Sequence, residues 1–360
     1  MEKGIMVVEK DSLEWNKSLI HFDHSLFITS EWLEALADEF CQPVYFDFVK
    51  GSEVVAKIAG LTFTQSFWKG RVLYIYGGLA MVESDNSIYD SCFFVLYKYC
   101  EAHGFNRIEI KSLGQPISFP VKNRFFYKTE MLEFITDFPK DESGIRYNRN
   151  FKRNLKKSKE HGGRFRVVTE PGLEQELRHL MIHTLSHRVK KNYKDYNPFY
   201  LKNLSLESVR RLLANGLGRF YLIEDEQGLQ GIQLSLEKDG KAYGLLLGAG
   251  PLSYQNGYRQ LLDYQIMESL ASRRYQYYNM GSVSSGPDGE GLAAYKLSAG
   301  ASAHVSYGVY THFMQFPQRL LNPLYGLGYI LLNAKWVVAA RRLFIWVTML
   351  LFSESVLEYF

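Results

Sequence analysis

The sequence predicts an α/β (α+β) protein of two tandem domains, each a mixed, mostly antiparallel sheet flanked by helices, with a helical appendix after them. A chain of 360 residues is longer than one ordinary hydrophobic core requires. The composition, 46% apolar and 22% charged, is typical of a folded globular protein. One order of predicted helices and strands also occurs twice along the chain. The predicted units are residues 1–140, 141–312 and 313–360.

The first unit is predicted from a helix, three strand-like runs, a second helix and a strand. The first helix begins at Ser30 and places Trp32 and Leu36 on one face. Turn residues, among them Gly51 and Gly70, separate the apolar runs. The predicted helices are 30–40 and 86–104, and the predicted strands are 43–51, 53–65, 71–82 and 105–112.

The second unit repeats this order. It opens with a basic helix and a strand, continues with two helices and three strands, and closes with helix, strand, a glycine-rich loop, a short helix and a last strand. The turn at Asp239-Gly240 joins two of the strands. The predicted helices are 145–161, 172–191, 204–216, 258–274 and one from about 292, and the predicted strands are 164–170, 218–225, 228–239, 241–250, 275–281 and 304–313.

The appendix is apolar but interrupted by charge. Its uncharged runs, 320–334 and 343–353, are shorter than the roughly 20 residues of a membrane-spanning helix. Two interpretations stay open for it: a buried pair of helices, or a peripheral membrane contact through 320–352 that uses Trp336 and Trp346. The N-terminus lacks the pattern of a secretory signal, so we expect a cytoplasmic protein, and a peripheral place at the inner membrane face stays open.

Charge and cysteine content exclude several classes of protein. The net charge of +4 is too small to indicate a nucleic-acid binder by itself. Three cysteines favour a reducing compartment over a disulfide framework. His183 and His187 lie four residues apart on a predicted helix, but no third ligand is near them in sequence, so we expect no metal site.

The glycine-rich segment 279–301 is the strongest chemical signal. Backbone amides near Gly281 and Gly291 can approach a ligand closely. Lys296 would stabilise an anion or oxyanion, and Tyr295 would move a proton. The loop acids Asp288 and Glu290 are further candidate bases. A flexible surface loop with a solvated lysine is the alternative.

The segment 146–166 is strongly basic, with nine Lys and Arg residues against one acid. Arg146, Arg149 and Arg153 share one helix face, and Phe151 and Leu155 lie on another. The basic face suits phosphate, as in tRNA, a nucleotide-linked sugar or a lipid pyrophosphate. The alternative is an ordinary solvated charged face.

Several of these residues form a pattern that resembles the FemAB-like branch of the GNAT acyltransferase superfamily. The pattern consists of Gly281, Gly291-Leu292, Tyr295-Lys296 and Gly300, and the order of elements agrees over about residues 20–312. The resemblance implies twin GNAT-like domains and acyl or aminoacyl transfer to an amine. Members of this branch build peptidoglycan cross-bridges from aminoacyl-tRNA, and others are CoA-dependent acetyltransferases.

The donor is left open by one departure from the family. CoA-using relatives carry a Gln/Arg-x-x-Gly-x-Gly/Ala turn for pyrophosphate, whereas residues 247–262 have Gly257 and Arg259 without that spacing. The coiled-coil arm of many tRNA-using relatives is also missing from the sequence. We therefore expect no bound cofactor, with either acyl-CoA or aminoacyl-tRNA as co-substrate.

The predicted function is acyl or aminoacyl transfer to an amine of a peptidoglycan or polysaccharide precursor, which could be lipid-linked. One alternative is a CoA-dependent N- or O-acetyltransferase of surface polysaccharide. Another is a non-catalytic module of the same fold that binds lipid-linked glycan or RNA. The candidate catalytic residues are Lys296, Tyr295, Asp288 and Glu290, and the candidate phosphate-binding residues are Arg146, Arg149, Arg153, Gly281, Gly291 and Arg259. The sequence leaves the oligomeric state open.

Overall fold

The first half of the chain contains the predicted elements and three more. The computed structural model describes residues 4–64, 70–83, 85–138, 144–190, 201–283 and 287–323. The strand at Ile5–Lys10, the helix at Ser12–Leu19 and the strand at Tyr127–Asp137 are absent from the sequence prediction, and the predicted strand 71–82 forms two separate strands. The elements are β1 (Ile5–Lys10), α1 (Ser12–Leu19), α2 (Ser30–Leu36), β2 (Cys41–Lys50), β3 (Glu53–Thr64), β4 (Arg71–Ile75), β5 (Ala80–Met81), α3 (Asn86–Ala102), β6 (Phe105–Ile110) and β7 (Tyr127–Asp137).

The second half also follows the predicted order, with small changes at the helix ends. One short helix, α7, was not predicted. The elements are α4 (Arg149–Glu160), β8 (Arg164–Val168), α5 (Glu174–Lys190), α6 (Leu206–Ala214), β9 (Gly218–Asp225), β10 (Gly228–Lys238), β11 (Lys241–Ala249), α7 (Pro251–Gln255), α8 (Tyr258–Ser272), β12 (Tyr277–Ser282), α9 (Pro287–Ser298) and β13 (Ser302–Tyr310).

Helix boundaries differ from prediction where a polar side chain satisfies the backbone. Helix α2 ends at Leu36 rather than Phe40, because the Asp38 carboxylate accepts hydrogen bonds from the backbone N–H groups of Phe40 and Cys41. Helix α4 begins at Arg149 rather than Ile145, because the Asn148 side chain accepts from the Phe151 N–H and caps the helix.

Both halves contribute to one mixed, mostly antiparallel sheet. Within the described residues the order is β1-β2-β3-β4-β6-β13-β7-β12-β11-β10-β9-β8, with β5 paired to β3. The parallel pairs are β4 with β6 and β11 with β12. The order is symmetric about its centre, because β1-β2-β3-β4-β6 mirrors β8-β9-β10-β11-β12. This confirms that one order of elements occurs twice along the chain.

The two halves exchange strands at the centre of the sheet. Strand β7 follows β6 in sequence, yet it pairs with β12 and β13 of the second half. Strand β13 ends the second half and pairs at its own end with β6 of the first, through Val309 and Ile110. We predicted that the first unit ends at residue 140. Strand β7 lies just before that boundary in sequence, but it pairs with strands of the second half.

The core crosses the junction between the halves. The ring of Phe27 from the first half packs edge-on against Tyr243 of β11, with 4.7 Å between ring centroids. Asn215, at the end of α6, donates to the backbone oxygen of Glu31 in α2. The halves are thus joined by a buried ring contact at β11 and by a hydrogen bond at the surface. Among the described residues, no helix is both long and apolar enough to cross a bilayer.

Candidate active site

The candidate site lies where two parallel strands separate. Strands β11 and β12 pair from Lys241–Tyr277 to Tyr243–Asn279, and in the described residues the pairing stops there. Past this point β12 has a bulge relative to β7, and Gly281 adopts a φ of +78°. Since the backbone groups of separated strands are no longer paired with each other, this opening is a place where a ligand can bind.

Lys296 is buried at this opening. It lies in α9 and is 5% exposed, and its Nζ donates to the backbone oxygens of Gly281 (2.8 Å) and Ser282 (2.9 Å). Burial, and then the nearby positive charge of Arg259, lower the pKa of Lys296 to about 7. An ammonium has three N–H donors, so these two hydrogen bonds leave one for a ligand. The alternative of a solvated lysine is therefore wrong, whereas the catalytic role of Lys296 stays a prediction.

Glu133 of β7 is a second ionisable group at the opening, and the sequence analysis missed it. It is 2% exposed; its carboxylate accepts from the Gly114 N–H (3.0 Å) and from the Tyr243 hydroxyl (3.1 Å). Burial raises the pKa of Glu133, and the charge of Lys296 opposes that effect. An acid among the apolar residues of 131–136 is the sequence signal that marks it.

A buried polar network connects α9 to α8 and β10. Arg259 forms an ion pair with Asp263 (2.8 Å) and donates to Gln233 Oε1 (2.9 Å). The Tyr295 hydroxyl donates to the other carboxylate oxygen of Asp263 (2.5 Å). Burial, and then the charge of Asp263, raise the pKa of Tyr295 well above its usual value, so the phenol keeps its proton. Arg259 and Tyr295 therefore both bind the carboxylate of Asp263. Asp263 is a second buried acid that the sequence analysis missed.

The basic helix α4 presents its cations to solvent. Phe151, Leu155 and Ser158 are buried as predicted, and α4 packs against α8 through them. Arg146, Arg149 and Arg153 are exposed, and so are the other six cations of 146–166. Before the helix, the Asn148 N–H donates to the backbone oxygen of Ser298, at the end of α9 (3.0 Å). The basic surface is therefore attached to the helix that carries Lys296.

Comparison with known proteins identifies the second half. Residues 146–297 match the family model described as an acetyltransferase (GNAT) domain. This segment is similar to GNAT acetyltransferases. The crystal structure of FemX is similar to most of the chain, with a TM-score of 0.62 and 11% identity over 89% of this chain and 99% of FemX. L-PGS from Bacillus licheniformis has a TM-score of 0.51 and 14% identity over 89% and 99% of the two chains. No curated protein sequence matches this chain.

The family match confirms the predicted resemblance to GNAT acyltransferases, and FemX shares the fold of the chain. The matched segment contains β11, β12 and Lys296, so the opening between the strands lies in the part of the chain that is similar to GNAT acetyltransferases. At such low identity, the similarity to FemX and L-PGS is one of fold.

The glycine-rich loop is shorter than predicted, because α9 begins earlier in the chain. Helix α9 begins at Pro287 rather than near Leu292, so Gly291 is a helical residue and does not lie in a loop. Proline is well tolerated in the first helical turn, where its missing N–H costs nothing. Asp288 and Glu290 lie in this first turn; Glu290 is exposed, and residues 284–286, between Gly281 and the helix, lie outside the described part. The catalytic roles of both acids stay predictions.

The turn before α8 lies in the segment that lacks the predicted spacing of a pyrophosphate turn. Gly257 precedes α8 with a φ of +74°, and a Cβ atom there would overlap the backbone oxygen of Asn154 in α4. The Tyr258 hydroxyl, in the first turn of α8, donates to the backbone oxygen of His161 at the end of α4 (2.9 Å). Helix α4 therefore packs directly over the first turn of α8.

Proposed function

We propose that this protein is a FemAB-like aminoacyltransferase, which moves an aminoacyl group from aminoacyl-tRNA to an amine of a peptidoglycan or polysaccharide precursor. The observation that carries the choice of donor is the covered first turn of α8. The backbone of Asn154 lies against Gly257, so α4 stands beside the helix N-terminus at which a CoA pyrophosphate would bind. Acyl-CoA is therefore the less favoured donor.

The exposed cations of 146–166 support tRNA as the donor. Nine positive side chains against one acid attract a polyanion, and binding to each phosphate releases counterions from the nucleic acid. Two of these cations have close acidic neighbours, since Arg166 pairs with Glu224 (2.8 Å) and Lys156 lies 4.0 Å from Glu160. Arg146, Arg149 and Arg153 form the part of this surface nearest to the end of α9. They would hold the backbone of the acceptor stem.

The opening between β11 and β12 would hold the reacting groups. The acceptor amine attacks the ester carbonyl of the aminoacyl-tRNA; a C–N bond forms, the C–O bond to the tRNA ribose breaks, and a proton passes from the amine to the leaving oxygen. The remaining N–H of Lys296 would stabilise the oxyanion, a contribution of about 3–4 kcal/mol for such a donor. Glu133 would accept the amine proton. Tyr295, held by Asp263, would position Lys296 through α9.

The acceptor class rests on the resemblance to the FemAB-like branch. A precursor of the cell envelope supplies an amine in that branch, on a peptide or a sugar. Because aminoacyl-tRNA is a cytoplasmic substrate, the proposal places the reaction in the cytoplasm, with a lipid-linked acceptor reached at the inner membrane face.

Titration of purified protein with total tRNA tests the donor. We expect binding that weakens with salt, and Arg149→Gln/Arg153→Gln should reduce the dependence of log K on log salt by about one for each phosphate that is no longer bound. A control with the same change of net charge is Lys17→Gln/Lys50→Gln, at exposed positions of the first half. This control should bind tRNA as the wild type does.

The same sample is titrated with acetyl-CoA and longer acyl-CoAs in a thermal-shift assay. A ligand at 100 times its Kd stabilises a protein by about 2.7 kcal/mol, which is readily seen. A clear shift with acyl-CoA, without tRNA binding, would refute the proposal in favour of the CoA-dependent alternative. Binding of tRNA without deacylation of charged tRNA by any amine would instead favour the non-catalytic module.

A further inference from the structure

An aromatic and basic surface lies on the first half, on α3 and the segments that pack beside it. We define the aromatic–basic face as Phe94, Lys98, Arg124, Phe125, Arg319 and Leu320. Phe94 is 45% exposed and Leu320 is 67% exposed, which is unusual for large apolar side chains on a folded surface. The face is where the described chain ends, because the last turn, Gln318–Leu321, belongs to it.

The members of the face are held together by ring and cation contacts. Phe125 stacks on Tyr97 with 4.3 Å between centroids and lies 6.4 Å from Phe94. The Lys98 ammonium lies 5.6 Å from the Phe125 ring, and the Arg124 guanidinium lies 5.2 Å from it. Cations that flank exposed aromatic rings are typical of surfaces that contact membranes, because the rings enter the interface and the charges meet the headgroups.

The last turn is fixed to the same side of α3. The Gln315 side chain donates to the backbone oxygens of Glu101 (2.7 Å) and Phe105 (3.3 Å), at the end of α3 and the start of β6. Arg319 is close enough to Tyr97 for its charge to act on that phenol. The described part of the chain therefore ends, at residue 323, beside the aromatic–basic face.

The charge of the remaining chain decides between occupants of the face. Residues 324–360 contain three cations, Lys335, Arg341 and Arg342, and two acids, Glu354 and Glu358, so their net charge is +1. A segment of net positive charge does not complement the cations of the face, so the chain's own end is a poor partner for it. The cations of the face match an anionic surface. Acids near the face are few; Glu101 pairs with Lys98 (2.9 Å), and Asp90 accepts the backbone N–H of Lys122.

We propose that the aromatic–basic face docks on an anionic phospholipid bilayer. Phe94 and Leu320 enter the interfacial region, and Lys98, Arg124 and Arg319 contact lipid phosphates. The docking does not depend on the donor or acceptor proposed above. It gives the protein a fixed orientation at a membrane, with the first half of the sheet against the lipid.

Sedimentation of the full-length protein with vesicles tests the docking. The wild type should bind vesicles of phosphatidylglycerol mixed with phosphatidylcholine and bind pure phosphatidylcholine far less. Lys98→Gln/Arg124→Gln/Arg319→Gln should weaken binding to the mixed vesicles about a hundred-fold, since each charge contributes about a factor of five. Phe94→Ser/Leu320→Ser should weaken it at least about ten-fold.

Two controls have matched chemistry. Lys152→Gln/Lys156→Gln/Lys157→Gln on α4 removes the same net charge, and Leu13→Ser removes a side chain that is 79% exposed elsewhere. Both should bind vesicles as the wild type does, and all variants should keep the wild-type melting temperature. The proposal is wrong if the wild type binds neither vesicle, or if the α4 variant loses binding while the face variants keep it. It is also wrong if the face variants change the oligomeric state and leave vesicle binding intact.

Discussion

The buried ammonium of Lys296 predicts a pH-dependent stability that can be measured without knowing any substrate. The difference between the usual pKa of 10.5 and about 7 in the folded protein corresponds to about 5 kcal/mol for keeping this group charged. Below about pH 7 the group is charged in the folded and the unfolded chain, so the wild type bears this whole cost. Above that pH the folded chain holds a neutral amine while the unfolded chain stays protonated.

The free energy of unfolding of the wild type should therefore rise with pH relative to that of Lys296→Met. The expected slope is up to about 1.4 kcal/mol per pH unit between about pH 7 and pH 10.5, the unfolded pKa. Urea unfolding of both proteins at about pH 6.5, 8 and 9 measures the difference. Lys157→Met, at an exposed position of α4, is the control and should show no such slope. A constant difference between wild type and Lys296→Met across this range would refute a lowered pKa at Lys296.

Three further substitutions test the rest of the site. Tyr295→Phe leaves a carboxylate oxygen of Asp263 without its donor and should lower the free energy of unfolding by about 1–3 kcal/mol, whereas Tyr254→Phe, at a half-exposed ring, should change it little in the same urea titration. Gly257→Ala should destabilise the protein, because it forces a side chain into a positive φ and against α4; a wild-type melting temperature would contradict the close approach of the two helices. Glu133→Gln should keep tRNA affinity and reduce turnover by about a hundred-fold or more, and unchanged turnover would remove Glu133 from the proposed chemistry.

Local patterns in the sequence were sufficient to predict most of the helices and strands. The apolar runs of β2, β3, β9, β10 and β11, with their turn residues, predict the strands, and the lopsided charge of 146–166 predicts the exposed face of α4. The unpredicted elements had weaker patterns. Strand β7 begins with four exposed residues and continues as MLEFIT, where a buried acid interrupts the apolar run. Apolar and polar residues do not alternate regularly along β7, because its first residues are exposed and its later residues are buried in the core.

The sequence predicted only part of the candidate site. Lys296 and Tyr295 lie in one short segment, whose order of residue types points to its chemistry. Glu133 and Asp263 are far from that segment in sequence, and each looks like an ordinary acid until the fold is known. Burial makes them informative, since a carboxylate excluded from water needs the donors that Gly114, Tyr243 and Arg259 supply.

By itself the sequence determined the class of fold, the repeat, the basic helix and the segment that carries Lys296, because each depends on residues close together in the chain. The tertiary structure decided what depends on distant residues. It exchanged β7 and β13 between the halves, separated β11 from β12, and packed Asn154 of α4 over Gly257. Strands that are distant in sequence pair where their apolar faces can be buried together. Which faces meet depends on the whole chain, so it cannot be predicted from any single segment.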